Sequence, residues 1–336
     1  MYSYRNSFPI TILLVILIFM AVYALLFFFY TNEELIWIRH SKELKERCAC
    51  RYPEKNKMLF IDGSTTLFGI RTLDIEKRLG IHACNMALHA GLGLEFMIEE
   101  TKPFMKRGDI VVLPLALPIY YDDERYSKLS FDYYRLYKKE GLSRIPVLEQ
   151  IKFISYNNPV EAAYWTIKAK LLDPKTVGYG YINQNQNGDH TGHRENKAVS
   201  LHPDKLKGSF AETHTMRVIV RFNGWCEERG IRLYMSFGPL VDLPEHRGAR
   251  MREYFAELMK YLKSKNLRVL GNPSDFLYDR KLIYDTIYHL NEKGMSMRTD
   301  QFIEILRRDS GIAVFIEGNR LPRRLHAAYL ADPGEG

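Results

Sequence analysis

The chain has 336 residues, 46% hydrophobic and 26% charged, enough for one large α/β domain with an insertion and an ample core. That balance excludes a disordered or low-complexity polypeptide. The net charge of +8 is dispersed, which suits an anionic membrane surface or an acidic glycan and makes no case for nucleic acid.

In chain order, the first feature is apolar. No charged residue falls between Ser7 and Asn32, and residues 9–30 are almost wholly hydrophobic. As a helix, such a run crosses a bilayer core of about 30 Å. A cleaved signal peptide is the rival, with Val22-Tyr23-Ala24 as a passable site, but the run continues through Leu25-Leu-Phe-Phe-Phe-Tyr30. The expectation is therefore an uncleaved, single-pass transmembrane anchor over 9–30. Arg5 precedes it, and Arg39, Lys42, Lys45 and Arg47 follow. By charge alone the large domain stays cytoplasmic, a bias that long domains overcome. Residues 31–57 read as a polar, helical stalk and linker. Cys48, Cys50, Cys84 and Cys226 outline neither a disulfide framework nor a zinc knuckle, and read as buried or juxtamembrane thiols.

A βαβ rhythm then begins, spanning residues 58–310. Met58-Leu-Phe-Ile61 is a strand ending in Asp62-Gly63-Ser64, and Thr72–Leu79 is a helix closed by Gly80. His82–Leu88 is the next strand, residues 92–106 a helix, and Ile110–Leu117 a buried strand by its continuous apolar character. The rhythm breaks over 118–201, an insertion or cap. It contains Tyr120, Tyr121, Tyr126, Tyr133, Tyr134 and Tyr137, a helix over 159–172 and the polar loop Asn183–His190. Those tyrosines read as packing or as platforms for sugar rings. Asp189, His190 and His193 raise a metal site, but a flexible polar stretch gives ligands no scaffold, so a solvated loop is expected. Helices over 210–229 and 245–265 alternate with strands Arg232–Phe237 and Leu267–Leu270. A loop over 275–291 precedes a helix over 292–308, and 311–336 is a C-terminal tail. Strands separated by helices predict a parallel sheet.

Sites on such sheets form beyond the C-terminal ends of the strands. Ser64 follows the first strand on a glycine turn, and His289 lies before the last helix with Asp285 four residues upstream. A serine nucleophile needs a base, and the base needs an acceptor to fix its tautomer. Ser64, His289 and Asp285 supply those types in that order. The bland alternatives are a helix-capping turn at Ser64, a backbone-bonded His289 and a turn-capping Asp285.

Three blocks resemble the SGNH (GDSL-like) hydrolase superfamily, in particular its membrane-anchored branch linked to cell-envelope polysaccharide. Asp62-Gly63-Ser64 resembles the first block, Gly-Asp-Ser, with Gly and Asp exchanged, followed by Leu67-Phe68-Gly69-Ile70. Asn85-Met-Ala-Leu-His89 resembles the second, with Ala87 in place of Gly. Asp285-Thr-Ile-Tyr-His289 resembles the last, Asp-x-x-His, with one additional residue. The third-block Asn has no counterpart in Val112–Pro118. The resemblance implies a flavodoxin-like three-layer sandwich, no cofactor and no metal, and acyl-enzyme chemistry at Ser64. The oxyanion donors would be Ser64 N–H, Ala87 N–H and the Asn85 side chain. It further implies an extracytoplasmic (periplasmic) esterase or O-acyltransferase, with a cell-surface polysaccharide or acyl donor as substrate and polysaccharide-biosynthesis membrane proteins as partners. The exchanged Asp62-Gly63 and the absent third-block Asn leave open a catalytically degraded scaffold or glycan-binding component of polysaccharide export. The charge pattern leaves open a cytoplasm-facing enzyme using an activated acyl donor.

Overall fold

A computed structural model describes residues 7–29, 31–169, 171–192, 201–203, 206 and 209–322. The helices before the sheet are α1 (Ser7–Phe29) and α2 (Glu33–Cys50). Strand β1 (Lys57–Phe60) leads to the single turn α3 (Ser64–Leu67) and to α4 (Thr72–Leu79), which ends on Gly80 with φ of 69°. Then come β2 (His82–Asn85), α5 (Leu94–Thr101), β3 (Ile110–Leu115) and α6 (Leu117–Tyr121). The next helices are α7 (Lys128–Tyr137), α8 (Val147–Ser155), α9 (Pro159–Ala169) and α10 (His214–Glu228). The chain continues with β4 (Arg232–Phe237), β5 (Leu240–Val241), α11 (Ala249–Ser264), β6 (Arg268–Val269), β7 (Leu277–Tyr278), α12 (Glu292–Arg308) and α13 (Ser310–Gly318).

Five strands form one parallel sheet in the order β2-β1-β3-β4-β6, and β5 pairs with β7 apart from it. The fold is α/β with a parallel sheet, as the alternation predicts. Every residue of β1, β2 and β3 is buried, which explains their unbroken apolar character. At the sheet's N-terminal edge, Asp109 accepts from Lys57 N at 3.1 Å and Lys57 Nζ at 2.8 Å, fixing where β1 and β3 start beside one another. The chain runs outward from β1 to β2, then crosses back to β3 on the other side of β1. The two loops leaving β1 and β3 therefore diverge and open a crevice, the place where such sheets hold ligands.

The chain divides into two compact units, one with residues up to Arg39 and Tyr126–Tyr181, the other His40–Arg125 and Ile182 onward. The expected insertion over 118–201 is thus too wide. Its first residues are α6, and its polar end belongs to the unit that carries the sheet. Helices α7 and α8 within it escaped the periodicity. Three further expectations fail. Residues 31–57 are helical over Glu33–Cys50 as expected but are no free stalk, because α2 buries Leu35, Trp37, Ile38, Ser41, Lys45 and Cys48. The tail does not begin at 311, because α13 buries Ile312 and Phe315; residues 323–336 lie outside those described. Cys48 and Cys84 are not free thiols but a disulfide joining α2 to β2. Closing a loop of 36 residues, it contributes roughly 3–4 kcal/mol by the chain-entropy model. Cys50 is exposed and free, and Cys226 is buried and free, its thiol pushed up to about 12 by desolvation.

Within the first unit, α1 is 23 residues long, about 35 Å at 1.5 Å per residue. Its described side chains are those of residues 9–24. Those 16 positions cover about 24 Å at 1.5 Å per residue, and among the described residues no helix is long and apolar enough to cross a membrane.

Candidate active site

From Lys57 to Ile70 every residue is buried except Ser64, which is half-buried. The chain leaves β1, turns at Gly63 and presents one side chain at the crevice. Gly63 is required there, since a Cβ would sit 2.6 Å from the Cβ of Ala90. The exchanged order Asp62-Gly63 follows from this. The residue touching Ala90 has no room for a carboxylate, and the acid stands one position earlier, pointing inward.

The loop after β7 brings the other two residues. Ile283 and Leu290 form an antiparallel bridge, and Tyr284 N donates to His289 O at 2.8 Å. Thr286 Oγ1 accepts from the N–H of Tyr288 at 3.3 Å and of His289 at 3.2 Å, tightening the turn. Val241 N donates to Ile287 O at 2.9 Å and ties the turn to β5. This geometry absorbs the additional residue. Asp285 Oδ1 lies 2.6 Å from His289 Nδ1, and His289 Nε2 lies 2.8 Å from Ser64 Oγ. Three side chains, two of them 225 positions apart, form a continuous relay. With Nδ1–H donated to the carboxylate, Nε2 is left to accept from the serine hydroxyl, which is the tautomer a general base needs.

Sequence reasoning missed what holds the imidazole. The Phe68 ring stacks on His289 with centroids 4.6 Å apart and planes 20° from parallel, and it also contacts His190 at 4.5 Å. Asn183–His190 is accordingly not a solvated loop. Asn187 and Asp189 are fully buried. Asp189 accepts from Thr72 N at 2.8 Å, Thr72 Oγ1 at 2.7 Å, Leu73 N at 2.9 Å and Asn185 Nδ2 at 3.0 Å. It satisfies the otherwise orphaned N–H groups that open α4. Asn187 Nδ2 donates to Glu76 and to Ala83 O. Lys45 Nζ donates to Asn85 O at 2.8 Å and Gly188 O at 2.7 Å, and burial lowers its pKa to about 7. His193 lies outside the described residues.

Below the serine turn lies a second buried pair. Desolvation raises Asp62 to about 7, offset in part by the Gly63 N–H, the Thr66 hydroxyl, Arg298 and the Ala116 N–H. Arg298 is fully buried on α12, donates from Nη2 to Phe237 O at 2.9 Å, and is lowered to about 10 by desolvation. Its Nη1 and Nε, and Oδ1 of Asp62, have no hydrogen-bond partner among the described residues. Gly69 makes the room, since a Cβ there would sit 2.2 Å from Arg298 Nη1. An arginine between Met295 and Phe302 on the apolar face of a helix was the available signal for a buried carboxylate.

Two expected site residues do not take their expected places. Ala87 N donates to Asn85 Oδ1 at 3.1 Å, and Asn85 Nδ2 donates to Thr66 O at 3.1 Å and Ile70 O at 3.4 Å. The Ala87 N–H is spent on the Asn85 side chain, and the Asn85 amide on the backbone around the turn. Nor do the tyrosines form one exposed platform. Tyr120 is buried with its hydroxyl on Ser236 O at 2.9 Å, and Tyr133 and Tyr134 are buried.

Among the described residues, one group has metal-ligand types close together, Cys48, His82 and Cys84. Its sulfurs are bonded to each other, and His82 is held by Glu76 Oε2 at 2.9 Å and Cys48 O at 2.8 Å. That arrangement is a covalent staple. No family model, no curated protein and no solved structure matches the chain.

Proposed function

We propose that this protein is a membrane-anchored serine acyl esterase or O-acyltransferase of the SGNH type that acts on cell-surface polysaccharide. The observation that carries the reading is the Asp285–His289–Ser64 relay at 2.6 and 2.8 Å. Ser64 Oγ attacks the acyl carbonyl while His289 Nε2 takes its proton, and Asp285 stabilises the resulting imidazolium. His289 returns that proton to the leaving oxygen, which departs and leaves an ester on Ser64. Water or an acceptor hydroxyl, deprotonated by the same imidazole, then attacks the ester carbonyl, the bond to Ser64 Oγ breaks and the imidazolium returns its proton to that oxygen. Strand order 2-1-3-4-6, with β5 outside the sheet, fits a flavodoxin-like three-layer sandwich and supports the family reading.

The helix α1, about 35 Å long and exposing apolar side chains on all its faces, supports a single-pass anchor. The Cys48–Cys84 disulfide supports an extracytoplasmic domain, against the charge bias after the span, because such bonds persist in oxidising compartments. Alkylation of intact cells before lysis tests this placement, and two unbridged thiols at Cys48 and Cys84 would sink it.

One observation favours a second reading, a catalytically degraded scaffold or glycan-binding component of polysaccharide export. With Asn85 and Ala87 engaged elsewhere, the Ser64 N–H is the remaining expected oxyanion donor, and loss of one such donor typically costs about 10²–10³ in rate. Full-length protein treated with a fluorophosphonate probe separates the two. Labelling at Ser64 that vanishes in Ser64→Ala and His289→Ala supports the enzyme. No adduct on folded protein with its disulfide intact overturns it in favour of the scaffold.

A further inference from the structure

The first unit exposes what a folded protein in water hides. On α1, every side chain from Ile12 to Met20 is 45–64% exposed, so no single groove in a partner protein could cover it. Helices α8 and α9 each add one stripe. Val147, Leu148 and Ile151 project from α8, and Val160, Ile167 and Leu171 follow helical spacing along and just past α9. Together with Tyr156 and Tyr164, these side chains are 55–82% exposed.

The opposite faces are packed. Phe153 of α8 meets Phe131 of α7 with ring centroids 5.6 Å apart, and Ala162 of α9 is buried. Helix α9 packs against α1, and Tyr23 Oη donates to Ile154 O at 3.1 Å. Both stripe-bearing helices therefore touch α1. Their polar rim fits a membrane boundary. Tyr156 and Tyr164 carry a hydroxyl on an apolar ring, and Lys168 Nζ sits 4.4 Å over the Trp165 ring. At 11 residues α9 is too short to span a bilayer, which leaves a helix lying in its plane.

We propose that α8 and α9 lie in the membrane interface, their apolar stripes turned into the acyl-chain boundary, as a second point of contact with the bilayer beside α1. The proposal rests on the anchor reading of α1 and is independent of the chemistry at Ser64.

The test uses the full-length chain with Cys50→Ser, a nitroxide at Leu148, Val160 or Ile167, and mixed phosphatidylcholine–phosphatidylglycerol vesicles. Leu14 and Ile18 of α1 serve as lipid references, and Lys260 of α11 as the water reference. Power saturation is read with oxygen, which concentrates in lipid, and with a water-soluble nickel chelate. The expected result is that oxygen outweighs nickel at the three stripe positions, inverting the order seen at Lys260. Stripe positions as open to nickel as Lys260, with α1 still in lipid, overturn the interfacial placement and leave the anchor standing. Nickel access at α1 as well overturns both. Stripe positions shielded from both agents overturn the lipid assignment in favour of a covering protein, whether a second copy or another subunit.

Discussion

Asn183–His190 and the α8–α9 segment invert the usual relation between polarity and burial. The first is almost entirely polar, yet Asn187 and Asp189 are fully buried. The second is strongly apolar, yet Val147, Leu148, Val160, Ile167 and Leu171 face outward. The difference lies in partners. Asp189 meets four donors and Asn187 Nδ2 two acceptors, so desolvation is offset bond by bond. Nothing described lies over the stripe, which behaves as a surface for another solvent. Composition predicts exposure only when the partner is known.

Substitutions can break that contrast. Asp189→Ala removes the acceptor of two N–H groups at the start of α4, of the Thr72 hydroxyl and of Asn185 Nδ2, and is expected to cost about 3–5 kcal/mol in denaturant unfolding. An unchanged midpoint would mean the segment is dispensable. Asp62 sharpens the comparison, being a buried carboxylate with an incomplete set of partners. Its folded pKa of about 7 lies above that of the unfolded chain, so the native state keeps a proton the unfolded state has released. Its contribution is therefore fully present below the ordinary carboxylate range and is lost as pH rises towards about 7. Asp62→Asn should flatten this fall, which is a few kcal/mol at most, in thermal melts taken from pH 4 to 8. A slope identical to that of the parent protein would refute the assignment. The smallest effect belongs to the stripe. In detergent, Val160→Ser with Ile167→Ser should shift the unfolding free energy by no more than about 0.5 kcal/mol, and a larger loss would show that these residues pack on protein.

Much of the sheet was legible because burial of β1 and β3 on both faces writes itself as unbroken apolar runs. The order of Ser64 before Asp285 and His289, each after a strand, was enough to bring three side chains to one edge. What the sequence hid was pairing at a distance. Cys48 and Cys84 carry no spacing signature, since the bond depends on α2 lying beside β2. Asn85 and Ala87 looked free because their mutual bond, two residues apart, forms only where the chain leaves β2. Helix α7 was missed because it buries Ser130, Asp132 and Arg135 beside its aromatic residues, and α8 because Val147, Leu148 and Ile151 face outward.

The stacking of Phe68 on His289 bears on when order is acquired. The imidazole is restrained on one face by the ring and at both nitrogens, by Asp285 and by Ser64. Turning it would break the stack and both hydrogen bonds together. Its rotational entropy is thus surrendered during folding, long before a substrate arrives, and the encounter finds the base already aimed. Phe68→Ala would return that freedom to the free protein while leaving all three polar residues in place.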